Sequence, residues 1–423
     1  MENRIKLLML GTHDLFLAGH VAYTYNEIPN ELFDKKMIVL ESCKKKESYA
    51  FRFSKSISTK IRKRLYPKWL FLKRWIKYRT IVDKEKSEYC FYSFDDECIS
   101  AEKILKKCGG FIPDVISIHW VARFVSSKTI KDLYEKTKAH IVITFVDEAP
   151  LSGGCHYHCD CNQYLYECER CPVLKSGMEL ARIQMVRKME NLRGIPLTIV
   201  GSPYDMEKAS FSSLYKDANK VNIVAYPQVT ITSREQARRI FKIDEKDFVI
   251  LIGASRLKDK RKGLEYAIHA VEEFSKDKKD ISVLLLGNDS LDISFISNIE
   301  VVQPGYLDND KMCAAFCASD VFLSSTIADS GPMMVNYSCA LGVPVVSFDL
   351  GIAHTLVTHK ENGYLAEYKN IESLKNGLNF IYELSSTEKK NIQKSLKKIM
   401  SKYKNQPQWY EVVYEKVKEK KVP

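Results

Sequence analysis

The chain has 423 residues, of which 45% are hydrophobic and 28% are charged, and its formal net charge at pH 7 is +12. This composition is typical of a soluble globular protein, and the length is too great for one ordinary domain. No apolar stretch approaches the roughly 18 residues that span a bilayer. The amino terminus runs directly into a strand-like segment, so we expect no signal peptide and a cytoplasmic protein.

Short apolar runs separated by amphipathic segments alternate along both halves of the chain. In the first half the runs are 5–10, 37–40, 115–119, 141–145 and 197–200. In the second half they are 248–252, 283–286, 301–303, 321–323 and 345–348. Continuous apolar runs of this length indicate strands that are buried on both faces, as in parallel sheets. The pattern therefore predicts an α/β protein with two doubly wound sheets.

The most informative segment is SSTIADSGPMMVNYSCALGVPVVSF, at 324–348. Gly331 and Pro332 open an apolar stretch after a polar loop, and Gly342 ends it before a second strand-like run. Proline near a helix start and glycine just past its end predict strand, loop, helix and strand. The free N–H groups of that helix start would face the carboxyl end of a strand. This is a ready phosphate site in an open α/β sheet.

This segment resembles the donor-binding motif of retaining family 4 glycosyltransferases. Asp329 matches the acidic residue in the loop of that motif, and residues 342–346 match its Gly-x-Pro-Val-Val ending. Tyr337 stands where the family has a glutamate that contacts the ribose hydroxyls of the nucleotide. The resemblance implies a catalytic role for Asp329 and a set of donor contacts: Ser330, Gly331, Pro332, Met333, Met334 and Tyr337.

The resemblance also implies the GT-B architecture, in which two Rossmann-like domains face each other across a cleft. We predict that residues 1–225 form an acceptor-side domain and that residues 226–404 form the domain that binds the nucleotide sugar. The tail 405–423 carries apolar residues at helical spacing. As in GT-B proteins, it is expected to cross back onto the first domain.

A second match, GASRLKDKRKG, occupies residues 253–263 after the first strand of the second half. The family carries an arginine there and, several residues later, a lysine before a glycine, which correspond to Arg256 and Lys262. Fixed cations and a helix start neutralise the charge that grows on a leaving diphosphate, so no catalytic divalent metal is expected. A solvated basic turn is the plain alternative. Loops after the next two strands are expected to line the nucleotide pocket through Asn288, Gly305 and Tyr306.

A cysteine-rich stretch, GGCHYHCDCNQYLYECERCP, occupies residues 153–172. Thiolates at this spacing can close a tetrahedral zinc site, and a structural metal is favoured over disulfides because nothing indicates export. His156, His158 and Cys159 are further candidate ligands. The stretch resembles an insert in a subset of family 4 enzymes of bacterial polysaccharide assembly, which implies four ligands: Cys155, Cys161, Cys168 and Cys171.

The first half offers weaker matches on the cleft side. Gly19 follows the opening strand and is expected close to the donor phosphates. His119 lies in a His-Trp segment that the same subset shares, and is predicted to face the acceptor, with a buried core histidine as the alternative. The family then reads Thr-Leu-His-Asp-Met-Trp-Pro where this chain reads TFVDEAP. Val146 thus replaces a histidine that lies beside the reacting sugar, whereas Asp147 is retained and is assigned a catalytic role.

Between Glu47 and Asp83 there is no acidic residue, and basic residues alternate there with Trp69, Phe71 and Trp75. Basic segments with aromatic residues suit an anionic membrane surface. The same composition would suit RNA, or simply a solvated helical face. The membrane is preferred because glycans of this kind are built on polyprenyl-diphosphate lipids at the cytoplasmic leaflet, and nucleic acid is not expected as a partner.

These features predict a retaining glycosyltransferase that moves a sugar from a nucleotide-diphosphate sugar to a growing, lipid-linked cell-surface glycan. The first alternative is a catalytically degraded relative that binds a sugar nucleotide or a partner without turnover. A zinc-containing nucleic-acid-binding protein and a glycan phosphorylase are further alternatives. The phosphorylase usually requires pyridoxal phosphate, for which the sequence shows no lysine motif.

Overall fold

The protein is described here by a computed structural model that covers residues 4–14, 21–42, 48–53, 76, 79–83, 93–95, 99–119, 121–293, 296 and 298–421. The chain divides into two compact units. Unit 1 contains Met1–Gly201, Asp205–Asn222 and Pro407–Pro423. Unit 2 contains Ser202–Tyr204 and Ile223–Gln406.

Each unit is built on one parallel sheet. The order in unit 1 is β3-β2-β1-β4-β5-β6-β7, and the order in unit 2 is β10-β9-β8-β11-β12-β13. The strands of unit 1 are β1 (Ile5–His13), β2 (Phe33–Ser42), β3 (Ala50–Phe53), β4 (Val115–His119), β5 (His140–Thr144), β6 (Leu197–Gly201) and β7 (Asn219–Asn222). Those of unit 2 are β8 (Phe248–Gly253), β9 (Ile281–Leu286), β10 (Glu300–Gly305), β11 (Val321–Ser324), β12 (Val345–Phe348) and β13 (Gly363–Ala366).

Helices connect these strands and cover both faces of the sheets. In chain order they are α1 (Val21–Glu27), α2 (Ala101–Lys107), α3 (Ser127–Thr137), α4 (Leu180–Leu192), α5 (Pro203–Phe211), α6 (Arg234–Phe241), α7 (Leu264–Ser275), α8 (Asn309–Ala318), α9 (Met333–Leu341), α10 (Ile352–Leu356), α11 (Ile371–Glu383), α12 (Ser386–Lys404) and α13 (Trp409–Lys421). Within the described residues, no helix is both long enough and apolar enough to cross a membrane.

The two doubly wound sheets confirm the predicted fold class. The central strands are the apolar runs of the sequence, and residues 7–10 of β1 are 0% exposed because helices cover both faces. In unit 2 the strand order reverses between β8 and β11. Loops that leave neighbouring strands in opposite directions open a crevice at the carboxyl ends of those strands, and ligands usually bind there. In unit 2 these loops are 254–263 and 325–332.

Arg238, in α6, is a charged residue at the centre of unit 2. Its side chain is 0% exposed. The guanidinium donates to three carbonyl oxygens within residues 244–247 and to Ala318 O, at 2.7–3.2 Å, and Nη2 lies 3.0 Å from Asp320 Oδ2. A buried cation is tolerated only when its donors are satisfied and its charge is paired. Arg238 therefore fastens α6, α8 and the entry to β8 to one another.

Replacing this arginine is expected to destabilise unit 2. Arg238→Met should lower the free energy of unfolding by about 3–5 kcal/mol, because it leaves a buried carboxylate and several carbonyls unpaired. Arg234 also pairs with Asp320, but its side chain is 41% exposed. Arg234→Met is therefore the matched control and should cost no more than about 1 kcal/mol. If the two variants lose equal free energy of unfolding in urea, the buried network around Arg238 is not what stabilises unit 2.

Candidate functional site

The loops after β8 and β11 are joined at the switch point of unit 2. A 3-10 turn, Lys260–Lys262, follows β8. The amide of Ile327 donates to the carbonyl of Arg261 at 2.8 Å, and Ser325 Oγ donates to the carbonyl of Lys262 at 3.0 Å. These bonds hold the basic turn against the acidic loop that precedes α9.

The contact between the two loops requires a glycine at position 263. Gly263 has φ +56°, and a Cβ atom there would lie 2.1 Å from the carbonyl oxygen of Ser325. That distance is far inside van der Waals contact, and the atom it meets belongs to the backbone, which cannot rotate away. The glycine that the sequence places after Lys262 is therefore what allows the two loops to meet.

Lys262 and Asp329, which are 67 residues apart in the sequence, form an ion pair between Nζ and Oδ2. The other carboxylate oxygen of Asp329 accepts a hydrogen bond from Gly331 N at 2.9 Å. Burial alone would raise the pKa of Asp329, but the Lys262 ammonium and the Gly331 amide outweigh it. The pKa of this carboxyl therefore lies below its ordinary value. Asp329 thus stays ionised and holds the Lys262 ammonium at the start of α9.

Pro332 occupies the capping position at the start of α9, and among the described residues no side chain caps this helix. The Ser330 hydroxyl, one turn earlier, is buried and makes no hydrogen bond within the described residues. Met334 packs over Gly253, where a Cβ atom would lie 2.6 Å from the methionine Cε. Free amides, an unused hydroxyl and a paired cation together make a local site for a phosphate group.

Tyr337, predicted to contact the donor, lies on α9. Its hydroxyl donates to Asn309 Oδ1 at 2.8 Å, and its ring stacks on Phe316 with centroids 6.2 Å apart. Burial raises the pKa of Tyr337, so the phenol stays protonated. The side chain therefore offers an apolar ring and one hydroxyl.

The remaining donor-side residues follow the carboxyl ends of neighbouring strands. Arg256 is exposed after β8, and Tyr306 is 69% exposed after β10. Asn288, after β9, donates from Nδ2 to Ser255 O at 2.8 Å, and Gly305 O accepts from the amide of residue 287 at 3.2 Å. The sheet thus gathers these residues at the same edge as Lys262, although Arg256 does not join the ion pair.

In unit 1 a hydrogen-bonded chain of three side chains follows β5. Asp147 Oδ2 lies 2.6 Å from His156 Nδ1, and Asp147 Oδ1 accepts from Ala149 N at 3.0 Å. The second ring nitrogen of His156 is hydrogen-bonded to Ser93 Oγ. Sequence reasoning offered His156 only as a metal ligand. Its spacing of nine residues from Asp147, across a glycine-rich bend, was the one available signal for this pairing.

The Asp147–His156 pair lines a pocket within unit 1 that encloses about 840 Å³ of empty space, part of it open to solvent. Val146 lies in its wall, and so do Gln184 and Lys188 from α4. Lys188 Nζ donates to two carbonyl oxygens, of Ala149 at 3.0 Å and Ser152 at 2.7 Å, which fixes the loop that carries the pair. The pocket combines an apolar floor with several polar side chains, as is usual for sites that bind small polar molecules.

The zinc site predicted in the cysteine-rich stretch stays a prediction. Among the residues that the structure describes, no three or more His, Cys, Asp or Glu side chains are arranged to hold a metal ion. Cys155 and Cys168 are packed into the hydrophobic core of unit 1, whereas Cys161 and Cys171 are only partly buried. Cys168 Sγ accepts from Gly153 N at 3.2 Å, and burial raises the pKa of this thiol to about 11.

His119, predicted to face the acceptor, lies in the interior of unit 1. Its side chain is 2% exposed, Nε2 is 2.9 Å from Ser117 Oγ, and the ring centroid is 6.1 Å from that of Trp409 in α13. It does not line the pocket described above. Gly19 lies outside the described residues, as do Trp69, Phe71 and Trp75 of the basic segment.

The tight contact at Gly263 predicts a stability difference between two glycine positions. Gly263→Ala should lower the free energy of unfolding by at least 2 kcal/mol, roughly twice the cost of a left-handed backbone alone. Gly194 has φ +73° with nothing within 4 Å of a Cβ atom. Gly194→Ala is therefore the matched control, and should cost about 1 kcal/mol. If the two variants unfold at the same urea concentration, the loops are not held by this contact.

The buried His119 predicts a pH dependence of stability. Burial lowers the pKa of His119 to about 4, whereas the unfolded chain keeps the ordinary value. The unfolded state therefore binds the extra proton first, and stability falls as the pH drops from about 6.5 to about 4. The fully buried ring should contribute about 3 kcal/mol of that loss.

The measurement is urea unfolding of the wild type and of His119→Gln between pH about 7 and about 4.5, within the range that linkage assigns to this group. The substituted protein should lose less stability on acidification. His269→Gln removes an exposed histidine from α7 and is the control. A variant at position 119 that follows the wild-type pH profile would contradict the buried, neutral ring.

Comparison with known proteins gives a family match for part of the chain and a fold for nearly all of it. Residues 233–398, all within unit 2, match the family described as glycosyl transferases group 1. Over 178 residues the chain is 25% identical to an uncharacterised 41.2 kDa protein in the cps region of Klebsiella pneumoniae. That alignment covers 41% of this chain and 48% of the relative, so the chain spans about half the length of the curated relative that it matches.

Solved structures match nearly the whole chain. Sucrose-phosphate synthase from Thermosynechococcus elongatus has a TM-score of 0.61 at 11% identity, covering 98% of each chain. Anabaena HepE in complex with UDP-glucose has a TM-score of 0.55 at 11% identity, covering 99% of each chain. At these identities the likeness concerns the fold. The chain therefore has the GT-B fold, and part of its carboxy-terminal unit matches the glycosyl transferases group 1 family.

Proposed function

We propose that this protein is a retaining glycosyltransferase that moves a sugar from a nucleotide-diphosphate sugar to a growing, lipid-linked cell-surface polysaccharide. The observation that carries the proposal is the Lys262–Asp329 pair beside the uncapped start of α9, at the switch point of the second sheet. This arrangement suits a diphosphate because a fixed ammonium and free amides converge there without a compensating side-chain cap.

The comparisons support the choice of donor and of pathway. Anabaena HepE, which shares the fold, was solved with UDP-glucose. The Klebsiella relative lies in a cps region, which suits a role in polysaccharide assembly. The sequence resemblance to family 4 adds the retaining outcome and the lipid-linked acceptor. The structural likeness favours an active transferase over the degraded relative that was the first alternative.

The chemistry requires stabilisation of charge more than a protein nucleophile. As the bond between the sugar and the diphosphate breaks, negative charge grows on the diphosphate, and Lys262 and the exposed Arg256 would neutralise it. In same-face transfer the leaving diphosphate takes the proton of the acceptor hydroxyl. Asp329 then acts by holding Lys262 in place, and the unused Ser330 hydroxyl is available to a phosphate oxygen.

The acceptor is assigned to the pocket of unit 1. Asp147 and His156 supply hydrogen-bonding groups in its wall, where the family has the histidine that Val146 replaces. Positioning one sugar hydroxyl there would orient the acceptor, which is the main contribution that protein groups make in this kind of transfer. In the proposal His156 thus takes over the polar role that the strand end has lost.

The donor assignment is tested by a thermal-shift screen over uridine, guanosine and adenosine diphosphate sugars. One nucleotide class should raise the melting temperature, and Lys262→Ala should abolish that shift, because a charge-assisted hydrogen bond contributes about 1.5–3 kcal/mol. Lys258→Ala removes an exposed lysine from the same loop and should keep the shift. A shift that survives in Lys262→Ala would place the donor elsewhere.

Turnover and stereochemistry are measured with the nucleotide sugar that the thermal-shift screen selects. The wild type should release the nucleoside diphosphate when a glycan acceptor is present, and the anomeric configuration of the new bond should match that of the donor. Binding without release would favour the degraded relative, and an inverted product would overturn the retaining assignment.

A further inference from the structure

One helix carries a large share of the positive charge of the chain. α12, residues 386–404, contains seven lysines, no arginine and one acidic residue, Glu388. It therefore holds six of the twelve net positive charges of the protein in 19 residues. Glu388 is bound to Ser385 in a capping box at the start of the helix, at Oε2 distances of 2.8 Å to the amide and 2.6 Å to the hydroxyl. Glu388 therefore caps the amino-terminal end of the helix.

α12 is amphipathic, with a buried apolar side and an exposed side that carries lysines. Ile392, Leu396 and Met400, spaced by four residues, are at most 5% exposed and pack into the core of unit 2. The opposite side, which we call the basic face, consists of five exposed lysines: Lys390, Lys394, Lys397, Lys398 and Lys402. In the described part of the chain none of the five has an ion pair or hydrogen bond of its side chain. Their mutual repulsion is thus left uncompensated within the fold.

The chemistry of the basic face favours a diffuse anionic surface. Lysine presents a hydrated point charge, whereas the planar arginine fork is preferred for discrete phosphates and nucleic acid. No aromatic side chain lies on the basic face, so it offers nothing on which bases could stack. The lysines extend over about 18 Å of helix, which matches a flat layer of charges better than a pocket-sized ligand.

We propose that the basic face of α12 docks the protein on an anionic lipid surface. The attraction is electrostatic, because the exposed side of the helix carries no apolar residue to insert between lipids. This proposal rests on the proposed function, because a lipid-linked acceptor is presented at a membrane. It concerns residues that belong to neither the donor site nor the pocket of unit 1, and vesicle binding is measured without any sugar.

The test is co-sedimentation of the full chain with vesicles of phosphatidylcholine containing phosphatidylglycerol, and with vesicles of phosphatidylcholine alone. The protein should bind the anionic vesicles selectively, and added salt should release it. Each lysine near such a surface strengthens binding about five-fold, so the triple variant Lys390→Glu, Lys394→Glu, Lys398→Glu should bind at least about 100-fold more weakly. Glutamate has a helix propensity similar to that of lysine, so the helix should persist.

The matched control reverses three exposed lysines elsewhere, as Lys103→Glu, Lys216→Glu, Lys279→Glu, with the same change in net charge. It should lose far less affinity than the α12 variant. Equal losses in the two variants, an α12 variant that binds like the wild type, or equal binding to neutral vesicles would overturn the proposal. Retention of RNA at physiological salt without vesicle binding would overturn it in favour of a nucleic-acid partner. Donor-induced thermal shifts in the α12 variant should be unchanged, which separates this proposal from the proposed function.

Discussion

The site of unit 2 depends on how closely two backbone segments approach each other. Gly263 brings the turn after β8 to within van der Waals contact of the loop after β11, and no residue with a side chain fits between them. Once the loops touch, Lys262 meets Asp329, and Asp329 fixes the amide of Gly331 at the start of α9. The ion pair follows from this contact, because joining the two backbone segments places the side chains of Lys262 and Asp329 next to each other. Steric fit between the segments sets the geometry, and the ion pair forms within that geometry.

In unit 1, side-chain hydrogen bonds hold the loop that carries His156 close to Asp147. After β5 the chain has Val146, where the resemblance to family 4 predicts a histidine. The chain returns nine residues later and presents His156 to Asp147 from a loop that Lys188 and Gln184 hold through backbone carbonyls. The cysteine-rich stretch thus takes part in the wall of the pocket. Cys155 and Cys168 pack into the core of unit 1, whereas His156 contributes a polar group to the wall.

The sequence predicts the central strands of each sheet better than most of the edge strands. β8 reads FVILIG because it is buried on both faces, and such runs are recognisable without a structure. Among the edge strands, β10 matches a predicted run, whereas β3, β7 and β13 were not predicted because these short strands have no continuous apolar run. The donor loops were found through local motifs, but the pairing of Lys262 with Asp329 depends on strand order. Cysteine spacing predicts metal ligands but carries no information about which thiols face the core.

α9 packs on α12, a helix that is distant from it in the sequence. Gly342 ends α9 in a left-handed conformation, and a Cβ atom at that position would lie 2.5 Å from Gln393 and 3.0 Å from Lys397 of α12. The carboxyl end of α9 therefore rests directly on α12. A side chain at position 342 would meet Gln393 and Lys397 and would have to adopt a left-handed backbone, so the close approach of the two helices depends on this glycine.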